Sequence, residues 1–592
     1  MLVSLAQVTA MHGGQAPPLY WTGIVLITFP VSFRIALPRA SRSERLTLIL
    51  LMAVAFYAVK ILYSPLNFAL FDEFLHWNTA LNIQEQGHLF GSNSLLPISR
   101  LFPGLEIVTT ALSSLSGLSI FASGIILIGV VRAAFVSVLF LAAETLSGSS
   151  RVAALACIVF MSNSNFSAFQ AQFSYESLAF ALMGFAFLTA LRLIREERDS
   201  TFYLLAGLCF AAATAVTHHL TSYFTAALLT ALAVLRVIEG RLDGRAFFLV
   251  CLAAASVGAD IAWLWITGSS GSYLGPTVER GFREFADFLT SSGSGRTLFA
   301  GPDGSQQPLW EKLTAMASTL LICLGLALGF FRSLNLAGVR IERKGPRIKI
   351  AWNNSGLVLL TLLTLGFPLS VLLRLTQSGW EIGNRLGPFV SLGVCVVVAI
   401  AIAGLWQEFR TKRQRPGMIA SALTITVLGG FVLGWGPTPI NYPYKVEADG
   451  QSIEPLGIGA AEWTREWLGP GQRFATDRIN RVLLATYGRQ IPITSLHDKV
   501  DITAVLFAPV LGEEELRAIK EAMTGYVMID LRLTTALPVG GVYFEGGEDP
   551  RINSTPPEPA ALLKFNKISG VSRPFDNGAT IIYDVRPLNG GS

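Results

Sequence analysis

Long apolar runs, broken by short polar turns, fill most of this chain. A helix rises about 1.5 Å per residue, so roughly 20 apolar residues cross the hydrocarbon core of a bilayer. Runs of this kind fall at roughly 19–37, 47–63, 126–146, 152–166, 177–194, 201–218, 220–237, 246–266, 312–331, 355–373, 388–406 and 417–435. They predict about twelve transmembrane helices, and the short fourth run leaves the count at eleven to thirteen. Two longer polar segments, 64–118 and 267–310, interrupt the pattern as large loops.

The pattern changes after the last run. From about 437 no spanning stretch occurs, and "AAEWTREWLG", "GEEELRAIKEAM" and "PEPAALLKF" carry the period of amphipathic helices. "GYVMIDL", "GVYFE" and "ATIIYDV" read as strands. The expected fold class is therefore a polytopic α-helical membrane protein with a C-terminal α/β domain. The expected division is 1–436 in the membrane and 437–592 outside it.

Composition agrees with this reading. Of 592 residues 52% are hydrophobic and 14% charged, against nearer 25% charged in soluble domains. The mean hydropathy is +0.51. A net charge of +5 is spread over short clusters between apolar runs, which gives no sign of a nucleic-acid partner. The five cysteines all lie within apolar runs, so neither a disulfide framework nor a cysteine metal site is expected. The N-terminus lacks the basic start of a signal peptide, so no cleavage is expected.

Charge sorts the connections. "RASRSER", "RLIREERD", "RVIEGRLDGR", "RSLNLAGVRIERKGPRIK" and "QEFRTKRQR" are basic and belong in the cytosol. Alternation then puts the N-terminus, the large loops, 374–388 and the C-terminal domain outside, in a multi-pass protein of the plasma membrane.

The candidate chemistry gathers on that outer side. Asp72, Glu73, His76, His88, Glu176, His218, His219 and Arg385 come from four separate loops. On a helix, Asp72 or Glu73 would share a face with His76. An acid beside apolar surface resists ionisation and suits proton transfer near neutral pH. The plainer reading is that these acids cap a helix and solvate a loop. Asp72, Glu176 and His218 or His219 could also supply a Mg²⁺ or Mn²⁺ site, since hard cations favour carboxylates. The Asp-Glu-x-x-His order is not the zinc-protease motif. Arg132 and Asp260 lie inside apolar runs near their outer ends, where a charge signals function or a structural ion pair. Glu144 lies near an inner end, where it could snorkel.

The order of these elements resembles the C superfamily of membrane glycosyltransferases (GT-C). An acid follows an early transmembrane helix in "FDEFLHW", and the loop returns through "LFPGLEIVTTALSSLSG". A helix opening on Arg and ending in a small basic turn follows in "VVRAAFVSVLFLAAETLSGSSR". A second outer loop carries an acid in "AQFSYESLAFAL", and a late one carries Arg before Pro in "GNRLGPFVSL". The resemblance covers about 45–240 well and 374–406 loosely. The second loop lacks Asp-x-Asp, and no Trp-Trp-Asp motif is present, which argues against an oligosaccharyltransferase proper.

The resemblance implies a glycosyltransferase with a polyprenyl-phosphate sugar as donor. The acceptor would be an extracytoplasmic glycan, lipid or protein. It implies Asp72 as general base, with Glu73 the alternative, and Arg385 and Arg132 as cations for the donor phosphate. His76, Glu176, His218 and His219 would be auxiliary acid–base or metal groups. Members of this type usually invert the anomeric centre in one displacement. The competing readings are a flippase or transporter for a lipid-linked glycan, which should show internal repeats and a midplane site, and a surface polysaccharide polymerase or ligase.

Overall fold

The computed structural model describes all residues except 13, 197–198, 241–242, 269–274, 291–297, 300–305, 345–346, 409–414, 434–454, 539–541, 545–554 and 591–592. Among the described residues, 11 helices are long and apolar enough to cross a membrane. A twelfth span results if Ser150–Met161 and Ser164–Ala171, bent by 77°, count as one. The chain is a multi-pass helical membrane protein, and the apolar runs of the sequence fall on helices, with 152–166 and 355–373 each divided between two.

Side-chain caps set where the spans begin. Ser41 opens the Arg42–Tyr63 helix with a reciprocal pair: its Oγ accepts from Glu44 N (3.1 Å) and Glu44 Oε2 accepts from Ser41 N (3.3 Å). Ser119 caps Ile120–Ser147 in one direction only, its Oγ accepting from Ala122 N (3.2 Å), and that helix stops at Gly148 with φ 69°. The 77° bend follows from "MSNSNF". There the Asn163 side chain accepts from Asn165 N at 2.8 Å and starts a new turn.

One expectation is corrected. The apolar pattern puts Arg385 in the outer loop 374–388, with a helix starting near Pro388. Instead one helix runs from Gln377 to Glu408 straight through Pro388. Proline has no N–H for the carbonyl four residues back, here that of Asn384. Asn165 Nδ2 supplies the missing donor at 2.7 Å, so the helix continues. The helix therefore does not point its positive end at Arg385.

The loop 64–118 is ordered. It holds helices Phe71–Gln86 and Gly104–Ser116, joined by a single turn at Ser99–Leu101. Gly104 is required by close approach, because a Cβ there would meet Thr217 Oγ1 at 2.1 Å. The loop 267–310 contains an unforeseen helix, Gly275–Leu289, whose Glu284 accepts from Ser378 N (2.8 Å). The Ser/Gly stretch near 291–295 and the expected domain boundary at 436/437 lie outside the described residues. In the basic segment 332–352, strands β1 (Arg340–Lys344) and β2 (Arg347–Ala351) form an antiparallel hairpin.

The C-terminal domain is α/β. Strands β3 (Arg473–Ala475), β4 (Ile491–Pro492), β5 (Tyr526–Asp530), β6 (Ser572–Asp576) and β7 (Thr580–Asp584) form one sheet in the order β4-β3-β5-β7-β6. β3 pairs in parallel with β4 and β5, while β7 pairs antiparallel with β5 and β6. β5 is buried at every position, as a central strand should be. "GVYFE" is not a strand at its described positions: Tyr543 and Phe544 bend inward and pack on Phe507.

This domain shares a core with the first loop. Phe71, Phe74, Leu75 and Leu95 belong to the same buried cluster as Phe474, Val482 and Ile529. Polar contacts frame it. Tyr487 OH donates to Asn67 Oδ1 (2.9 Å), and Arg489 Nη2 donates to Asn82 Oδ1 (2.8 Å) and Glu85 Oε2 (2.6 Å).

Candidate active site

The Phe71–Gln86 helix lies between the bundle and the C-terminal domain, and its first turn carries the acids. Glu73 is fully buried and its oxygens are taken. Oε1 accepts from Lys60 Nζ (2.5 Å) and Phe173 N (2.9 Å). Oε2 accepts from Ala69 N (3.2 Å) and Leu70 N (3.4 Å). Glu73 thus replaces a Ser or Asp cap and ties three chain segments together. His76 is also buried, and its Nδ1 lies 2.7 Å from Glu106 Oε1. Neither the Asp72–His76 nor the Glu73–His76 pair forms, because tertiary partners claim Glu73 and His76.

Asp72 is different. It is half-buried, and among the described residues its carboxylate has neither a hydrogen-bond nor an ion-pair partner. Glu176, in the first turn of Tyr175–Arg195, is likewise half-buried and without a hydrogen bond among the described residues. It lies within electrostatic range of both Asp72 and Arg385.

Aromatic rings link the remaining groups. His76 packs at a tilt against Tyr175 at 4.4 Å between centroids, Tyr175 likewise against His218 at 4.4 Å, and His218 meets His219 edge-on at 5.0 Å. His218 sits in extended backbone between helices Ser200–Thr217 and His219–Ile238, and the chain turns there from one helix to the next. Its Nδ1 lies 2.7 Å from Thr221 Oγ1. Arg385 interacts electrostatically with Glu176 and Tyr175, and both histidines feel its charge. Its Nε and Nη2 donate to Glu381 Oε1 at 3.2 and 2.9 Å.

The structure therefore gathers Asp72, His76, Glu176, His218, His219 and Arg385. It does not gather the others. His88 is exposed and its Nδ1 turns to its neighbour's carbonyl, Leu89 O, at 3.0 Å. Arg132 is buried in the bundle, where Nη1 donates to Phe166 O (2.7 Å) and the guanidinium covers the Phe166 ring at 4.0 Å. It braces the bent span and does not join the rim group. Asp260 accepts from Ser222 Oγ, a structural pairing, and Glu144 holds Arg42 at 2.8 Å.

The donor set for a metal is incomplete. Among the described residues no three His, Cys, Asp or Glu side chains come close enough to hold an ion. The Asp72, Glu176, His218 set is therefore not assembled.

Four contributors were not recognised from the sequence. Lys60, Glu106 and Tyr175 hold the site residues, and Arg478 of the C-terminal domain covers the Phe71 ring at 3.8 Å. Lys60 carried a legible signal as a lone cation in an apolar run. "ATDRINR" reads as a solvated helix face, yet Asp477 and Arg481 are buried. Asp477 caps the Arg478–Thr486 helix, and burial, then the Asp530 carboxylate, push its pKa up to about 6.

No family model and no curated protein matches the chain by sequence. Solved structures do match. The oligosaccharyltransferase of Archaeoglobus fulgidus in the apo form aligns over 84% of this chain and 70% of its own, with TM-score 0.55 and 10% identity. AglB from the same organism, in complex with an inhibitory peptide and a dolichol-phosphate, aligns over 82% and 69% with TM-score 0.51 and 10% identity. ArnT from Cupriavidus metallidurans, bound to undecaprenyl phosphate, aligns over 92% and 99% with TM-score 0.41 and 12% identity. The chain has the fold of the GT-C membrane glycosyltransferases.

Proposed function

We propose that this protein is a membrane glycosyltransferase that moves a sugar from a polyprenyl-phosphate donor to an acceptor hydroxyl outside the cytoplasm. The observation that carries the reading is the unpartnered Asp72 carboxylate, set beside Glu176 and Arg385 within a GT-C fold. AglB was captured with dolichol-phosphate, which supports a lipid-phosphate donor.

The reaction follows from these groups. An acceptor hydroxyl attacks the anomeric carbon, the bond from that carbon to the phosphate oxygen breaks, and the lipid phosphate leaves. Asp72 takes the hydroxyl proton as the new bond forms. The single displacement inverts the anomeric centre. Arg385 compensates the charge of the departing phosphate. Glu381 occupies Nε and Nη2, while Nη1 makes no hydrogen bond among the described residues and remains for a phosphate oxygen.

Substitution of Arg385 tests the phosphate role. Purified Arg385→Gln should bind polyprenyl phosphate about tenfold or more weakly, since charged hydrogen bonds contribute about 1.5–3 kcal/mol. Arg385→Lys should retain part of the affinity, because a point charge remains without the planar fork. Equal affinity in native protein and both variants would remove Arg385 from the site.

The basic loops further support an extracytoplasmic C-terminal domain. An impermeant thiol reagent on intact cells should label a cysteine at exposed Lys499 but not one at exposed Arg39. The reverse result inverts the orientation.

A further inference from the structure

The helix Gly104–Ser116, between the Phe71–Gln86 helix and the Ile120–Ser147 span, is inverted. Its buried face is polar: Glu106, Thr109, Thr110 and Ser113 all lie inward. Glu106 Oε1 lies 2.7 Å from His76 Nδ1. Ser113 Oγ accepts from Gln84 Nε2 (3.3 Å) and donates to Leu118 O (2.7 Å). Its outward face is apolar: Ile107, Val108, Ala111 and Leu115 are exposed, Leu115 by 89%. At about 100° per residue these four fall within one arc of about 100°, opposite the polar four. A helix on a water-facing surface turns the other way, with its apolar side to the core and its polar side out.

The depth of this helix is fixed at both ends. Its first residue, Gly104, abuts Thr217, the last residue of the Ser200–Thr217 span. Just before it, Leu101 O accepts from Trp263 Nε1 (3.0 Å), near the end of the Gly244–Thr267 span. Just after it, Ser119 caps the Ile120–Ser147 span. The helix therefore lies level with the ends of three spans, where hydrocarbon gives way to headgroups and tryptophan is common. Beyond it the exposed side chains stay apolar: Leu118 in the link, then Ile126 and Val130, four residues apart on the Ile120–Ser147 span.

We propose that the Gly104–Ser116 helix docks on the bilayer, with Ile107, Val108, Ala111 and Leu115 among the acyl chains of the leaflet on the Asp72 side. Such a helix lies in the plane of the interface and sinks its apolar face about 5–10 Å below the headgroups. A second copy of the chain would also cover an apolar face. Continuity with Ile126 and Val130, which a span presents to lipid, favours the leaflet. On its other face the docked helix meets His76 through Glu106, and so holds the helix that carries Asp72 against the membrane surface.

Fluorescence quenching tests this in full-length protein whose five cysteines are replaced by Ala, reconstituted in phosphatidylcholine nanodiscs. A fluorophore is attached at Ile107→Cys, Leu115→Cys, Val130→Cys or Lys499→Cys. Val130, exposed on a span, marks lipid, and Lys499, exposed on the C-terminal domain, marks water. At Ile107→Cys and Leu115→Cys, dibrominated acyl chains should remove about half of the emission or more, as at Val130→Cys, and iodide should remove little. At Lys499→Cys the pattern should reverse. Iodide quenching at the two helix positions equal to that at Lys499→Cys overturns the proposal and puts the face in water. Shielding from both quenchers overturns it in favour of a second copy, which a disulfide-linked Leu115→Cys dimer would identify. Should the cysteine-free protein fail to fold, native protein in nanodiscs of phosphatidylcholine with diazirine-bearing acyl chains decides. Photolysis should then leave lipid adducts within 104–116, and adducts confined to the spans overturn the proposal.

Discussion

Asp72→Asn is expected to lower sugar transfer from a polyprenyl-phosphate donor by a factor on the order of 10² to 10⁴, the range that general base catalysis contributes. The amide keeps the shape of the carboxylate but cannot take the proton. Stability should hardly change, because the Asp72 carboxylate bonds to nothing among the described residues and no partner is orphaned. Expression, monodispersity and melting temperature should therefore match the native protein while turnover collapses. Near-native transfer by the purified variant would exclude Asp72 as the base.

Glu73→Gln should show the opposite profile. It leaves Lys60, only 14% exposed at its side chain, without its counter-charge. It also sets an amide N–H₂ against backbone N–H groups that now donate to Oε2. Breaking a buried ion pair from one side costs about 3–5 kcal/mol. A marked drop in melting temperature and yield is expected, with activity falling in proportion to folded protein. Lys60→Met should do similar damage. The double variant Lys60→Met/Glu73→Gln should recover part of it, because no unpaired charge remains. A Glu73→Gln protein that melts like the native one yet transfers no sugar would make Glu73 the base in place of Asp72.

These contrasting expectations show where the sequence was readable. Apolar runs and basic turns located every span, because length and charge act locally. The order of acids, histidines and Arg385 along the loops was enough to anticipate that they meet. The separation of Asp72 from Glu73 was not readable, since it depends on Lys60 and Phe173, one on the preceding span and the other 100 residues away. Pro388 misled for the same reason: its effect on the helix is offset by Asn165, distant in sequence. β3 and β4, of 3 and 2 residues, are too short for alternation to register. Tyr543 and Phe544 read as strand because buried aromatics carry the same signal in a bend.

The core shared by the Phe71–Gln86 helix and the C-terminal domain also imposes a schedule. Asn67 and its partner Tyr487 stand 420 residues apart. At about 5–20 residues per second, a ribosome needs roughly 20–80 s to make that interval. Throughout it, the segment bearing Asp72 has left the ribosome while Phe71, Phe74 and Leu75 still lack the surface that covers them. The first turn of the Phe71–Gln86 helix is therefore not packed midway through synthesis. The cover over Phe71, Phe74 and Leu75 is complete only when the late domain is made and docks, so a ribosome that stalls before it leaves those side chains bare.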